Sequence, residues 1–300
     1  LVSRGYGKRF VCGLLAAGGT LGILIPPSIP MIVYGFVTEE SIISLFLAGI
    51  VPGLLLIVLF TIFAMVYARF SPGYQKMDPA SWAERLSTSI RALPSVLLAV
   101  VVIGGLYSGA FTPTEAAAVG FAVALVITIF ILRTLTWAAF KEAAFDAMVT
   151  TVAILLIIAG AKVFGKAIAL YRIPQDISAF LGANIDGPIA FILVVSVVLL
   201  LMGLVFEALS MVLIMVPVLL PAALALGFDP IWFGVYVVIM VECALITPPV
   251  GLNLYVIQSV ARTTLGEVSR GVLPFLAIML ATVVALYAVP DIALYVPFKW

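Results

Sequence analysis

No Asp, Glu, Lys or Arg interrupts the sequence between Arg9 and Glu39, or between Glu40 and Arg69, and similar uncharged runs recur to the end of the chain. A helix needs about 20 apolar residues to cross the hydrocarbon of a bilayer, and inside that layer every backbone polar group must be satisfied within the protein. Runs of this length therefore lead to an all-α integral membrane architecture. Composition agrees, because 65% of the 300 residues are hydrophobic and only 10% charged, against about one-half and one-quarter in soluble domains. The absence of His removes imidazole catalysis and the commonest metal ligand. Cys12 and Cys243 both lie in apolar runs, so neither a disulfide framework nor a zinc cluster is expected. A net charge of +1 lacks the basic footprint of a nucleic-acid binder. The chain opens at Leu1 with Arg4, Lys8 and Arg9 before a long apolar stretch. That is no signal peptide, and it reads as a piece beginning in a loop.

Hydropathy places spans near 10–36, 42–68, 92–109, 115–133, 147–170, 231–257 and 270–290. Two further apolar arms, 188–205 and 208–226, are separated only by Phe206 and Glu207. That gap is too short for an external loop, so a re-entrant hairpin with Glu207 near its tip is expected. Under this map Arg4, Lys8, Arg9, Arg69, Lys76, Arg85, Arg91, Arg133, Lys141, Arg262 and Arg270 share one side, which is eleven of the fifteen basic residues. The positive-inside rule makes that side cytoplasmic. The polar connector 69–91, with Pro72, Gly73, Asp78 and Trp82, is expected along the inner surface. The loops 37–41 and 109–114, the hairpin base near 184–188 and the C-terminus face outward.

Two segments share an uncommon signature, GGTLGILIPPSIPMIVYG at 18–35 and CALITPPVGLNLYV at 243–256. At an offset of 222, Pro26 and Pro27 meet Pro248 and Pro249, Gly49 meets Gly271, Pro52 meets Pro274 and Leu54 meets Leu276. Identities at one offset indicate a duplicated unit, and the odd number of crossings between the copies turns them in opposite directions. Inverted repeats are the usual plan of secondary transporters. Each Pro removes a backbone donor and blocks the bond to the carbonyl four residues earlier. Two in a row within the membrane unwind a helix, and the unwound backbone must be buried or line a cavity. Carbonyls ahead of Pro26 and Pro248 suit a hard cation, while the helix starting after each break presents amides and a positive dipole end to an anion. Ser28, Thr247 and Asn253 add oxygens nearby.

Other polar residues take lesser roles. Glu207 either ligates a cation or caps the second hairpin arm, and Ser210 suits both. Glu242 precedes the second break by a turn and is expected to support it through hydrogen bonds and packing rather than by ligating the ion directly. Thr112-Pro113-Thr114-Glu115 has the pattern of a capping box. Lys162 and Lys166 share a helix face, from which they reach water, a partner subunit or, less expectedly, the substrate.

The runs AAGGTLGILIPPSIPMIVYG, GAFTPTEAAAVG and MGLVFEALSMVLIMVPVLLP…GFDPIWFGV…ITPPVGLNLYV resemble the large membrane subunit of the TRAP (tripartite ATP-independent periplasmic) transporters, DctM-like, over its C-terminal portion. The resemblance covers almost the whole chain. It implies an elevator-type, inverted-repeat fold of the ion-transporter superfamily whose N-terminal part, with the first re-entrant hairpin, precedes Leu1. It divides the chain into 1–68 (transport part of the first repeat), 69–91 (cytoplasmic connector), 92–180 (scaffold) and 181–300 (transport part of the second repeat). It implies sodium binding at Gly22, Ile25, Pro26 and Ser28, and at Ile246, Thr247, Pro248, Gly251 and Asn253 with Glu207 and Ser210. Where this chain has Glu207 the family often carries Asp. A carboxylate-bearing organic acid, a C4-dicarboxylate or a relative, would sit by Pro27, Ser28, Pro249 and Asn253. Sodium would be the coupling ion with no cofactor. The partners would be a small membrane subunit and a periplasmic substrate-binding protein, in a bacterial or archaeal cytoplasmic membrane. No enzyme activity is implied. The competing readings are a one-component sodium/dicarboxylate carrier, an intramembrane enzyme using Glu115, Glu207 or Glu242, and a structural subunit.

Overall fold

The computed structural model describes residues 6–71, 81–173, 175–176 and 187–299. These residues form helices and no strand. In chain order they are α1 (Lys8–Leu24), α2 (Ile29–Thr38), α3 (Ile42–Phe70), α4 (Trp82–Tyr107), α5 (Pro113–Val126), α6 (Trp137–Leu170), α7 (Pro188–Met202), α8 (Ala208–Ala225), α9 (Pro230–Leu245), α10 (Leu252–Ala261), α11 (Leu265–Ala288) and α12 (Asp291–Lys299). Seven segments among the described residues are long and apolar enough to cross a membrane, α1 and α2 counting as one. Arg4, Pro72, Gly73, Lys76, Asp78 and the hairpin base at 184–186 lie outside the described residues. The chain divides into two compact units, 1–75 with 160–300, and 76–159.

The first unit is built around α9. Every residue from Ile231 to Leu245 is buried, as a helix apolar on all sides requires. Asp229 caps its start, accepting from the Ile231 and Trp232 amides at 2.8 and 3.0 Å, and Pro230 fits the first helical position, where no N–H is needed. Polar tips on aromatic bodies then tie neighbours to α9. The Tyr34 hydroxyl donates to the Pro230 carbonyl at 2.6 Å. The Trp232 indole donates to the Leu286 carbonyl at 3.1 Å, and the Tyr236 hydroxyl donates to the Ile192 carbonyl, also at 3.1 Å. Small residues set the closest approaches. A Cβ on Gly203 would lie 2.2 Å from that of Ala244, and one on Gly271 would lie 2.1 Å from the Arg9 carbonyl oxygen. Phe10, Phe60, Phe63 and Phe275 fill the space between α1, α3 and α11, with Phe60 and Phe275 edge to face at 5.2 Å.

Elements follow the duplicated sequence. At the offset of 222, α1, α2 and α3 fall on α9, α10 and α11 with ends matching to within a few residues. Each copy has a long helix, an interruption at the Pro-Pro pair, a ten-residue helix and a span with one internal proline, Pro52 or Pro274. Both short helices end on a left-handed residue, Glu39 at φ 62° and Arg262 at φ 47°. Both Pro–Pro peptide bonds are cis. Between the copies, α7 and α8 occupy the two apolar arms expected from sequence, with 203–207 as the break.

In the second unit α4 packs on α5, and a π-helical turn at Ile127–Ile131 extends α5. Two capping boxes open these helices, Ser81 with Glu84 and Thr112 with Glu115. Helix α4 starts at Trp82 and α6 at Trp137, each ten residues ahead of the spans expected at 92 and 147. Few side chains here are buried; in α4 and α5 only Leu106 and Ala116 are.

Candidate functional site

The break between α1 and α2 arises from Pro26 and Pro27. Lacking N–H groups, they leave the carbonyls of Gly22 and Ile23 without their usual helix donors. The Ser28 hydroxyl donates to the Ile23 carbonyl, and the same oxygen accepts from the Met31 amide at 3.3 Å as the N-cap of α2. Ser28 thus closes one of the two openings and starts the next helix, while the Gly22 carbonyl has no such replacement. Pro26 and Ser28 are buried, Ile25 is half-buried, and Gly22 and Pro27 are exposed.

The second break repeats this scheme with different side chains. Pro248 and Pro249 would remove the donors for Ala244 and Leu245. The Thr247 amide reaches the Ala244 carbonyl at 3.2 Å, and the Thr247 hydroxyl donates to the Cys243 carbonyl at 2.7 Å. Leu245 is the carbonyl left over, and it explains Gly251, where a Cβ would stand 2.6 Å from the Leu245 oxygen. Only glycine admits that approach. Helix α10 begins at Gly251 with no side chain capping its amides. The Leu252 and Asn253 amides of its first turn therefore stand uncapped at the positive end of a helix, while that of Leu254 donates to the Gly251 carbonyl at 2.8 Å. Asn253 is half-buried in that turn. The second break thus sets a carbonyl oxygen at the end of one helix and uncapped amide hydrogen at the start of the next, a pairing that suits a cation next to an anion.

Glu207 is the N-cap of α8. Its carboxylate accepts from the Leu209 amide at 3.0 Å, the Ser210 amide at 2.7 Å and the Ser210 hydroxyl at 2.8 Å. The two residues singled out at the hairpin tip are therefore brought together, in capping geometry. The tip also meets the second break through Gly203, which rests on Ala244 two residues before Ile246. No hydrogen bond joins Glu207 or Ser210 to 246–253 among the described residues.

Glu242 requires a correction. It is completely buried and faces the backbone amide of Leu24, but neither carboxylate oxygen has a hydrogen-bond partner among the described residues. The expected hydrogen bonds from Glu242 to the second break are therefore not seen among the described residues. Glu115 is the capping residue expected of it, meeting the Thr112 amide and hydroxyl at 2.9 Å each. Sequence reasoning overlooked Leu245, although counting four residues back from Pro249 finds it. It also missed Gly203, whose role depends on a tertiary neighbour.

Comparison with known proteins follows the same outline. The family model "Tripartite ATP-independent periplasmic transporter, DctM component" matches residues 1–292. The chain is 39% identical over 297 residues to the C4-dicarboxylate TRAP transporter large permease protein DctM of Pseudomonas aeruginosa, covering 99% of this chain and 69% of that protein. It is 38% identical to the sialic acid TRAP transporter large permease protein SiaM of Vibrio cholerae, covering 97% and 68%. It is 36% identical to the ectoine/5-hydroxyectoine TRAP transporter large permease protein UehC of Ruegeria pomeroyi, covering 98% and 69%.

Proposed function

The chain belongs to the DctM component family of the tripartite ATP-independent periplasmic transporters, and we propose that it works as the sodium-coupled permease through which an organic acid enters the cell. It is a multi-pass membrane protein and a transporter subunit, not an enzyme. The observation that carries the finer reading is the matched pair of interrupted helices, each leaving one carbonyl, Gly22 or Leu245, without a helix donor. In this reading sodium binds the first break at Gly22, Ile25, Pro26 and Ser28. A second ion binds Ile246, Thr247, Pro248, Gly251 and Asn253 beside the Glu207–Ser210 tip. The anionic substrate lies against Pro27, Ser28, Pro249 and Asn253, with a carboxylate on the uncapped start of α10.

The two copies run in opposite directions, and 1–68 with 181–300 carries the cargo past a scaffold from 92–180, with 69–91 as connector. Coupling follows from linkage: sodium must bind better with substrate present than absent. A cation at each break offsets the charge of the organic anion and fixes the unwound backbone, so the fully loaded unit crosses and the half-loaded one does not. The partners are a small membrane subunit and a periplasmic binding protein, in the cytoplasmic membrane of a bacterium or archaeon. The three relatives are named for a C4-dicarboxylate, sialic acid and ectoine. A C4-dicarboxylate is therefore the first substrate to try, ahead of the other two.

The test is uptake into proteoliposomes holding the permease with its small subunit, the binding protein outside, and labelled acids. An inward sodium gradient is compared with an equal potassium gradient. Accumulation that needs both sodium and the binding protein supports the proposal. Accumulation without the binding protein favours a one-component carrier, and none under any condition from folded protein removes the coupling assignment.

A further inference from the structure

A cavity of about 470 Å³ lies between the end of α2, the last turns of α6 and the second half of α8. Lys162 and Lys166 both line it, one turn apart on the same face of α6. The Lys162 ammonium stands 4.7 Å from the centre of the Phe36 ring, a cation–π contact that holds it at the cavity wall. Neither lysine has an ion pair among the described residues, where the single salt bridge joins Lys299 to Asp291.

The opposite wall adds acceptors. Pro217 and Pro221 line the cavity with Leu213 and stand inside α8. Each proline removes the N–H that would bond the carbonyl four residues back, which releases the carbonyls of Leu213 and Pro217. Most of the remaining lining is aliphatic. Thr38 ends α2, Lys166 stands four residues before the end of α6, and Pro221 four before the end of α8. The cavity is therefore at the ends of helices, at the depth where a bilayer becomes polar. Of the residues in α6 only Ile168 is buried within this chain.

Two unpaired cations, released carbonyl acceptors, an aliphatic wall and an open side at interfacial depth match an amphiphile better than a small hydrophilic anion. We propose that this cavity binds the phosphodiester headgroup of a membrane lipid, with the phosphate on Lys162 and Lys166, headgroup hydroxyls on the α8 carbonyls and an acyl chain along the aliphatic wall. This site is separate from the two helix breaks and does not depend on the sodium assignment.

The experiment is native mass spectrometry of the full chain in micelles, titrated with a short-chain phosphatidylglycerol. Parallel titrations use a short-chain phosphatidylcholine, inorganic phosphate and succinate. A juxtamembrane lysine adds about 1 kcal/mol to binding an anionic lipid, or about fivefold. The Lys162→Gln and Lys166→Gln variants should each weaken phosphatidylglycerol binding about fivefold. The double variant should weaken it about 25-fold, and the Lys162→Arg, Lys166→Arg pair should keep it. Phosphatidylcholine should bind more weakly but with the same lysine dependence, because the phosphate is shared. Unchanged lipid binding in the double Gln variant, with a melting temperature equal to wild type, overturns the proposal. So does lysine-dependent binding of phosphate or succinate without lysine-dependent binding of lipid.

Discussion

A Cβ on Gly13 of α1 would lie 2.0 Å from the carbonyl oxygen of Gly271 in α11, so the two backbones touch with no side chain between them. Helices in lipid gain little from the hydrophobic effect, and close backbone approach supplies the packing instead. This contact joins the first long helix of one copy to the last span of the other.

Gly271→Val should therefore destabilise the chain by about 1–3 kcal/mol, the usual range for overpacking. Thermal unfolding in detergent measures it. Gly266→Ala, in the same helix with open space around its Cβ, should leave the melting temperature unchanged. Equal melting of all three proteins would mean that α1 and α11 do not meet in this way.

Glu207→Ala removes acceptors from two amides and one hydroxyl at the start of α8 and should lower stability by about 1 kcal/mol. Stability and sodium response then separate the two roles left open by the sequence. A cap alone predicts that sodium raises the melting temperature of Glu207→Gln as much as that of wild type. A lost sodium shift with intact folding makes the carboxylate an ion ligand.

Ser28→Ala removes the hydroxyl that replaces a missing helix donor at the Ile23 carbonyl, and Thr247→Ala removes a second donor from the Cys243 carbonyl, which the Ile246 amide also reaches at 3.2 Å. Ser28→Ala should cost about 1–3 kcal/mol, the range for a buried acceptor left unpaired, and Thr247→Ala less, because the Cys243 carbonyl keeps the Ile246 amide. If the breaks bind sodium, both variants should also need more sodium for half-maximal uptake. A sodium requirement unchanged in both would detach the hydroxyls from ion binding and leave them a structural role.

Glu242→Met should fold at least as stably as wild type. A buried carboxylate with no hydrogen-bond partner opposes folding, and an apolar residue of similar volume removes that opposition. A melting temperature several degrees lower would show that the carboxylate has a partner, such as a bound cation, in the working protein.

Local chemistry made much of this legible beforehand. Pro26, Pro27, Pro248 and Pro249 act on the backbone wherever they stand, so both breaks were readable from sequence. Thr112 and Glu115 form their box within one turn, and so does the Glu207–Ser210 cap. The early start of α4 had an equally local signal, Ser81 three residues before Glu84, but the polar side chains of that turn made it look like a connector. What was not legible depends on neighbours far along the chain. Gly203 is small because Ala244 is there, and Lys162 meets Phe36 across more than a hundred residues.

The carbonyls of Gly22 and Leu245 have a property that no side-chain ligand shares: point substitution cannot delete them. Their availability is written by prolines four residues downstream, so a change at position 22 or 245 alters shape and leaves the oxygen in place. Changes to neighbouring side chains can therefore tune the surroundings of these oxygens without deleting them. The vulnerable letters are the prolines themselves and Gly251, whose hydrogen in place of a methyl group keeps the Leu245 oxygen within reach.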